Sequence, residues 1–287
     1  MKLPSLIGVI HLPALAGAPF SHALHPAQAL QEAGAWAVKE ALLLSRAGFQ
    51  AVILENFGDV PFFKTQVPPE TIASMAVIAA AVREAVKIQV GINILRNDCR
   101  GALAVAAVTD CHLIRVNALS GVVASDQGLI EGDAAYLIRE KTRLHVDVAI
   151  FADVNVKHAR TLSSNDLDLA IEDARHRALA DAVIVTGKST GRSVDPMTLQ
   201  KASKTAKSVG MPLYVGSGVS RDGLFELKKY VDGVIVGSAL RKGGVAGAPM
   251  DPGEVRLFAK EYFKKTRVRN SHRESKKTPK RGKVRRG

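Results

Sequence analysis

Cysteine and aromatic residues are scarce in this sequence. Its 287 residues include two cysteines, one tryptophan and 5% aromatic side chains. Two cysteines cannot build a disulfide framework, and Cys99 and Cys111 lie near opposite ends of one predicted helix, roughly 18 Å apart at about 1.5 Å per residue. The sequence therefore favours a reducing compartment, and we expect a cytoplasmic protein.

Long apolar runs are also missing. No run reaches the roughly 20 residues of a membrane-spanning helix, so we expect no transmembrane segment. The N-terminal stretch "MKLPSLIGVIHLPALAG" is similar to the apolar core of a secretory signal. However, Lys2 is its only cation, Pro4 and Pro13 interrupt it, and later segments repeat its pattern, so we interpret it as a first strand.

Acidic residues are nearly absent from the C-terminal segment. Residues 264–287 contain twelve Lys or Arg and one acid, Glu274, which gives +11 of the total charge of +13 and leaves +2 for residues 1–263. This segment has no apolar periodicity to offset its ordering entropy, so we predict a disordered basic tail beyond a domain at 1–263. Such a tail can bind nucleic acid or an anionic lipid surface non-specifically, or serve solubility alone.

Eight short runs rich in Val and Ile alternate with longer amphipathic segments. Most of the runs are apolar on both faces, which is typical of parallel strands covered by helices. The runs are "LIGVIH" from Leu6, "AVILEN" from Ala51, "VGINIL" from Val90, "LIRVN" from Leu113, "VAIFADV" from Val148, "AVIVTG" from Ala182, "LYVGSG" from Leu213 and "GVIVGS" from Gly233. The intervening pattern predicts helices that include 27–47, 70–86, 133–143, 167–180, 196–209 and 221–230.

This alternation predicts one (β/α)8 TIM barrel. The alternative is a doubly wound sheet, which requires a glycine-rich phosphate loop directly after the first strand. The stretch "HLPALAGAP" follows that strand and contains neither G-x-G-x-x-G nor a P-loop, so the barrel is favoured.

Polar residues collect at the predicted strand ends, where a barrel of this kind has its active site. In the fourth run, Ile114 and Val116 would face the helices, so the alternate residues would point into the mouth of the barrel. An inward arginine, Arg115, requires partners, and the nearest carboxylates are Glu55 and Asp153. The strand-end residues are His11, Glu55, Asn56, Asp59, Asn93, Arg96, Asn97, Asp98, Arg115, Asn117, Asp153, Thr186 and Gly187.

These residues form either a catalytic site or a polar plug whose members satisfy one another. The catalytic candidates are Glu55 or Asp153 as general base, His11 or His158 as acid, and Arg115 or Lys157 as the stabiliser of an oxyanion. The substrate-binding candidates are Asn56, Asp59, Asn93, Asn97, Asp98, Asn117, Thr186 and Gly187. A Schiff base is disfavoured because Lys157 and Lys188 lie in loops beyond the strand ends.

Two further expectations concern Asp153. If it and Lys157 serve chemistry, Asp153→Asn and Lys157→Met should leave the melting temperature level or higher. Asp153 and Glu55 could also hold Mg²⁺ together with His11 or Asn93, although no tight ligand spacing supports a metal.

Small residues end the seventh and eighth runs, in Gly216, Ser217 and Gly218 and in Gly237 and Ser238. Backbone N–H groups can approach an anion closely there, and a helix beginning near Ser220 would point its positive end at the same place. We predict a phosphate site, since the loops after these two strands are its usual place in such barrels; the alternative is a pair of tight turns. The segment "TGKSTGRS" predicts a lid whose Lys188 and Arg192 could reach the phosphate.

Eight motifs occur in order along the chain: "GVIHLPALAGAP", "ENFGDVPF", "GINILRND", "IRVNALSG", "ADVNVKHA", "VTGKSTG", "GSGVS" and "DGVIVGSAL". Over residues 7–258 the chain resembles the BtpA family, which includes SgcQ-like proteins. The resemblance implies a phosphate-binding TIM barrel, similar to ribulose-phosphate-binding barrels, and the family's namesake is linked to photosystem I biogenesis. SgcQ-like members accompany sugar-catabolism genes and are sometimes labelled nucleoside triphosphatases, but no Walker A pattern occurs here.

We therefore expect an enzyme that acts on a small phosphorylated metabolite, a sugar phosphate, by proton transfer or carbon–carbon bond chemistry. We also expect a homo-oligomer. The alternative is a non-catalytic assembly factor that uses the barrel as a binding platform. The many ionisable groups at the mouth favour the enzyme.

The tail is expected to be dispensable for folding, because it holds most of the excess charge and none of the core. A chain ending at Phe263 should melt like the full chain and lose salt-sensitive binding to nucleic acid or anionic vesicles. Thermal melts of both chains, and their binding to nucleic acid or anionic vesicles at two salt concentrations, measure this. Unchanged binding after truncation would contradict it.

Overall fold

The computed structural model describes residues 2–22, 25–155, 159–162, 166–187 and 194–264. The strands are β1 Leu6–His11, β2 Ala51–Glu55, β3 Gln89–Asn93, β4 Leu113–Val116, β5 Val122–Ser125, β6 Gly128–Glu131, β7 Ala149–Asn155, β8 Ala159–Thr161, β9 Ala182–Val185, β10 Leu213–Val215 and β11 Gly233–Val236. The helices are α1 Pro26–Ala47, α2 Pro69–Ala85, α3 Cys99–Val108, α4 Ala134–Arg143, α5 Leu167–His176, α6 Pro196–Ser208, α7 Leu224–Leu227 and α8 Pro252–Phe263, and 3₁₀ turns lie at Ser238–Leu240 and Lys242–Gly244.

Eight of the strands close a parallel barrel in the order β1-β2-β3-β4-β7-β9-β10-β11, with β11 paired back to β1. Helices alternate with the strands, which confirms the predicted (β/α)8 barrel. Within the described ranges, none of the helices combines the length and apolar character needed to cross a bilayer. The predicted basic tail lies almost entirely outside the described residues, so the division at residue 263 stays a prediction.

A small antiparallel sheet, in the order β6-β5-β8, was not predicted. Its strands follow β4 and β7, so the sheet lies beyond the carboxyl ends of two barrel strands. Each strand has only three or four residues, and β5 pairs with β8 across more than thirty positions of sequence. Short strands with distant partners leave no usable periodicity in the sequence.

The predicted helix at 221–230 is wrong in its extent. Only α7, four residues long, is helical there, and Gly223 provides no side-chain cap at its start. Glycine also disfavours a helix interior, which explains why the longer helix does not form. The helix dipole that we expected to support an anion beside β10 is therefore not available.

The cysteines differ slightly from expectation. Asp98 caps α3, in which Cys99 is the first residue, but the helix ends before Cys111. Both thiols are free and buried. Burial raises the pKa of Cys99 to about 12 and that of Cys111 to about 11, so neither is a reactive thiolate at neutral pH.

The apolar core has two layers. One cluster fills the space between the strands and the helices, and a smaller one fills the barrel interior. In the interior, the rings of Phe151 and Tyr214 meet edge to face with centroids 4.8 Å apart. Gly233 is required beside them, because a Cβ at that position would lie 2.3 Å from the Tyr214 ring.

A buried ion pair joins the segment after the last strand of the barrel to the first helix. Arg241 is 1% exposed and Glu40 is 5% exposed, and Arg241 Nη1 lies 3.2 Å from Glu40 Oε1. Burial raises the pKa of Glu40 and lowers that of Arg241, and the attraction between the two opposes both shifts. Arg241 also donates to the carbonyls of Val9 and Ala248. No local pattern in the sequence marks this contact between residues 201 positions apart.

Breaking this pair is expected to destabilise the barrel strongly. Arg241→Met leaves the Glu40 carboxylate buried without its partner, which typically costs about 3–5 kcal/mol. The control is Lys229→Met in the exposed pair with Glu226, whose loss should cost no more than about 1 kcal/mol. Urea unfolding measures both, and equal losses would contradict the prediction.

Candidate active site

The carboxyl ends of the barrel strands present one inward-facing polar layer. The register places His11 of β1 beside Glu55 of β2, and Glu55 beside Asn93 of β3. Since alternate residues face the same side of a strand, these three point inward above Val9 and Ile53 of the interior cluster. All three are at least nine-tenths buried.

Glu55 lies between a neutral donor and an imidazole. Asn93 Nδ2 donates to Glu55 Oε2 at 2.7 Å, while Glu55 Oε1 lies 3.9 Å from His11 Nε2. The Phe57 ring stacks on the His11 ring with centroids 4.3 Å apart. Phe57 was not among the predicted site residues, because nothing in the sequence shows on which side a loop aromatic will pack.

Arg115 and Asp153 form a bidentate ion pair across the mouth. Arg115 Nε lies 3.0 Å from Asp153 Oδ2, and Arg115 Nη2 lies 3.1 Å from Asp153 Oδ1. Asn117 Nδ2 adds a third hydrogen bond to Asp153 Oδ2, at 2.9 Å. Burial opposes the charge of Arg115, but the charge and hydrogen bonds of Asp153, with the charge of Glu55, outweigh it and raise the pKa of Arg115.

This geometry separates the two candidate bases. Both oxygens of Asp153 are engaged, and its side chain is 1% exposed. Asp153 therefore resembles a member of the polar plug more than a general base. Glu55 keeps one oxygen directed at His11 and has no cation in direct contact among the residues that the structure describes.

The glycine turns after β10 and β11 form a corner beside this layer. Ser217 Oγ accepts a hydrogen bond from the N–H of Gly187, at 3.1 Å. Gly216 has no room for a side chain, since a Cβ there would lie 2.5 Å from Ile184 Cγ2 and 3.3 Å from Arg115 Nη2. Gly218 has a φ of +66°, which other residues rarely adopt. Gly237 and Ser238 complete the corner, and Ser238 begins a 3₁₀ turn.

One cavity of about 90 Å³ joins the corner to the polar layer. It is lined by His11, Glu55, Phe57, Arg115 and the residues of both turns, Gly216, Ser217, Gly218, Gly237 and Ser238. A small anion in the corner would therefore lie beside an arginine, a carboxylate and an imidazole. The arrangement can hold a charged group and place acid–base groups next to it.

Four predicted substrate-binding residues have partners within the protein. Asn97 bonds the N–H and carbonyl of Ala118 through its amide, and Asp98 accepts from Val67 and Gly101. Asn56 accepts from the N–H of Leu95 and donates to Asp59, which also accepts from Leu15. Burial raises the pKa of Asp59, and these hydrogen bonds oppose the shift. The contacts of these four residues hold loops in place and do not favour a role in substrate binding.

The other predicted site residues divide into two groups. Thr186 is 3% exposed and lies with Gly187 at the end of β9, close to the corner. Lys157, His158, Lys188 and Arg192 lie outside the described residues, so their roles stay predictions.

A magnesium site is not favoured by the donors present. Asp153 is committed to Arg115 and Asn117, which leaves Glu55 as the one carboxylate of the proposed set with an oxygen toward the cavity. Within the described part of the chain, no three His, Cys, Asp or Glu side chains come together in a way that could hold a metal ion. The predicted Mg²⁺ therefore gains no support from the arrangement.

Comparison with known proteins identifies the family. The model of the BtpA family matches residues 2–264. The chain belongs to the BtpA family. An uncharacterised protein of Methanocaldococcus jannaschii is 44% identical over 250 residues, covering 87% of this chain and 92% of the relative. "Photosystem I biogenesis protein BtpA" of Synechocystis is 43% identical over 222 residues, covering 77% of each chain.

Solved structures with the same fold are more distant. Phosphoribosyl anthranilate isomerase from Thermus thermophilus superposes with a TM-score of 0.53 at 12% identity, over 89% of this BtpA-family chain and 97% of the isomerase. Thiamine phosphate pyrophosphorylase from Pyrococcus furiosus superposes with a TM-score of 0.52 at 16% identity, over 90% and 97% of the two chains. These likenesses concern the barrel fold.

Removing the carboxylate of Asp153 is expected to destabilise the protein. Asp153→Ala leaves the guanidinium of Arg115 buried without a counter-charge, which should cost about 3 kcal/mol or more. The sequence predicted a level or higher melting temperature for Asp153→Asn if Asp153 serves chemistry, whereas the bidentate pair favours destabilisation. Adding Arg115→Met to the same chain should recover much of the loss.

Urea unfolding of the single and double variants measures this effect. The control is Asp173→Ala, which removes an exposed pair with Arg177 and should change stability little. A stable Asp153→Ala protein would show that the pair exists for function alone.

Proposed function

We propose that this BtpA-family protein is an enzyme that acts on a small phosphorylated metabolite of the sugar phosphate class, by proton transfer or carbon–carbon bond cleavage. The observation that carries the proposal is the single cavity that places the glycine corner beside Glu55, His11 and Arg115. The two structural neighbours are named after phosphorylated compounds. At 12% and 16% identity, however, their likeness to this chain is one of fold alone.

The phosphate group is assigned to the corner after β10 and β11. The turn at Gly216 and Gly218 allows close approach of the backbone, and Ser217 and Ser238 supply hydroxyl groups at its edge. Backbone N–H groups and an arginine are the partners that a phosphate prefers. Arg115 uses Nε and Nη2 toward Asp153, so its Nη1 can bind a substrate oxygen.

Glu55 is assigned as the general base. A carbon acid next to a carbonyl would transfer its proton to Glu55 Oε1, and the electron pair of the broken C–H bond would form the carbon–carbon double bond of an enediolate. The negative charge would then rest on the former carbonyl oxygen, where His11 and Arg115 would stabilise it. In a cleavage reaction, Glu55 would take the proton of the hydroxyl group β to the carbonyl, and that carbon would leave as an aldehyde. The electron pair of the broken carbon–carbon bond would form the double bond of the same enediolate, and the carbonyl oxygen would take up the negative charge.

Asp153 is assigned a positioning role in this scheme. It holds the guanidinium plane of Arg115 through two hydrogen bonds and the amide of Asn117 through a third. A fixed cation stabilises developing charge without reorganisation during the reaction. The catalytic roles predicted for Lys157 and His158, which lie outside the described residues, stay open as additional contributions.

A thermal-shift screen tests the proposal first. A ligand that binds only the folded protein raises its melting temperature, and the size of the rise follows concentration over Kd. Sugar phosphates should raise the melting temperature, with and without Mg²⁺, while the matching unphosphorylated sugars should not. Ser238→Val should remove the response. Gly218→Val is less informative, because a φ of +66° strains any side chain.

The best ligand of the screen then tests the chemistry. Glu55→Gln keeps an oxygen for Asn93 and should bind the ligand while solvent exchange at its carbon-bound proton falls by about 10²-fold or more. Proton exchange into D₂O, followed by NMR, measures this directly. Glu131→Gln on β6 is the control and should behave like the unaltered protein. Equal exchange in both variants would exclude Glu55 as the base.

A second candidate is a non-catalytic assembly factor, which the name of the Synechocystis relative favours. In that case Glu55→Gln would leave biological function intact, while changes on the outer surface would remove it. Complementation of a strain lacking the protein separates the two candidates. Binding of polyanions by the tail, assembly into a homo-oligomer and a cytoplasmic location are further predictions of this proposal.

A further inference from the structure

The β11–α8 segment contacts the imidazole of His11 directly. The N–H of Gly247 donates to His11 Nδ1 at 3.1 Å, although the two residues lie 236 positions apart. A ring nitrogen that accepts a hydrogen bond carries no proton, so the proton of a neutral imidazole must lie on Nε2. Nε2 is the nitrogen that lies 3.9 Å from Glu55 Oε1.

The same segment is held from behind by the buried ion pair. Arg241 donates to the carbonyl of Ala248, next to Gly247, and the N–H of Met250 donates to Glu40 Oε1 at 3.0 Å. Arg241 Nη2 also donates to the carbonyl of Val9 at 2.9 Å, two residues before His11 on β1. One guanidinium therefore anchors both the strand that carries His11 and the segment that holds its ring.

The backbone of Arg241 also contacts the glycine corner. The N–H of Arg241 donates to the carbonyl of Ser238 at 3.0 Å, at the start of the 3₁₀ turn after β11. A displacement of Arg241 would thus move the corner and the imidazole together. This links the two halves of the cavity through the protein core.

Gly247 fits its place for two reasons. Its φ of +83° disfavours other residues, and a Cβ there would lie 3.3 Å from Phe57 Cε1. Phe57 in turn stacks on His11, so a side chain at position 247 would press on the ring that the backbone N–H holds.

We infer that Gly247 and the Arg241–Glu40 pair are positioning residues that hold His11 in its Nε2–H tautomer and set its place relative to the anion corner. The tautomer follows from the geometry alone. Its meaning for catalysis rests on the proposed function: His11 would act toward the substrate as a hydrogen-bond donor and acid, with Glu55 as base.

Nitrogen-15 NMR of the full chain labelled at histidine tests the tautomer without any ligand. At about pH 8 an unperturbed histidine is neutral, and its two ring nitrogens give different shifts. His112 is an internal reference, because its Nδ1 accepts from the N–H of Val90 at 3.1 Å. Exposed His145 represents an unconstrained ring. The ring nitrogen shifts of His11 should follow the pattern of His112, with the proton on Nε2. A proton on Nδ1 of His11, or a mixture of tautomers like that of His145, would overturn the inference.

Gly247→Ala tests the positioning role. Alanine keeps the N–H but disfavours a φ of +83°, so the N–H should shift away from His11 Nδ1. Weakening this hydrogen bond should lower the tautomer ratio of His11 roughly fivefold, while His112 stays unchanged. Arg241→Lys should lower the tautomer ratio of His11 less than a folded Arg241→Met protein does. An unchanged His11 signal in Gly247→Ala would overturn the role of the segment.

Substitution of His11 itself gives a second measurement that does not depend on the segment variants. The amide oxygen of His11→Asn can replace Nδ1 and accept from Gly247, whereas the longer amide of His11→Gln places its polar atoms nearer to Nε2. The Asn variant should therefore melt higher than the Gln variant in the absence of ligand. The reverse order would contradict the inference.

Failure of the proposed function can be told apart from failure of this inference. If the tautomer and the melting order are as expected but no phosphorylated ligand binds, the positioning stands and the enzymatic proposal fails. If sugar phosphates bind and react while His11 shows a mixed tautomer, the enzyme stands and the positioning role fails.

Discussion

Closing eight parallel strands into a barrel forces every second side chain into an interior that is filled by side chains. In the lower part of this barrel the interior is apolar, and Phe151 and Tyr214 are its largest side chains, with Tyr214 packed against Gly233. At the carboxyl ends the same constraint directs arginine, carboxylate and amide groups toward one another. Each must find a partner there or remain poised for a ligand, because an unpaired buried charge is costly.

The charged groups meet this constraint to different degrees. Asp153 accepts three hydrogen bonds, two of them from Arg115, and Glu40 is matched by Arg241 behind the barrel wall. Glu55 has a neutral amide on one oxygen and a distant imidazole beside the other. The matched pairs give the mouth a fixed shape, and Glu55 is the less committed carboxylate. This contrast, more than the presence of ionisable groups, separates a candidate base from its supports.

The cavity and the end of α8 lie at opposite ends of the barrel. The hydroxyl of Tyr262 donates to the carbonyl of Ser5, just before β1, so α8 ends at the amino ends of the strands. The basic segment after residue 263 therefore begins on the face opposite the cavity.

The sequence by itself determined the barrel, since runs that are apolar on both faces and alternate with amphipathic segments have few other solutions. It also determined which strand ends are polar, and eight motifs identified the BtpA family. It could not show which of Asp153 and Glu55 is the candidate base. It also could not separate Asn97 and Asp98, which hold loops, from Asn93, which donates a hydrogen bond to Glu55. Nor did it show Phe57 and Gly247 around His11, the ion pair of Arg241 with Glu40, or the small sheet of β5, β6 and β8. These depend on contacts between residues distant in sequence, and only tertiary structure decides such contacts, because local periodicity specifies which way a side chain faces but not what it meets.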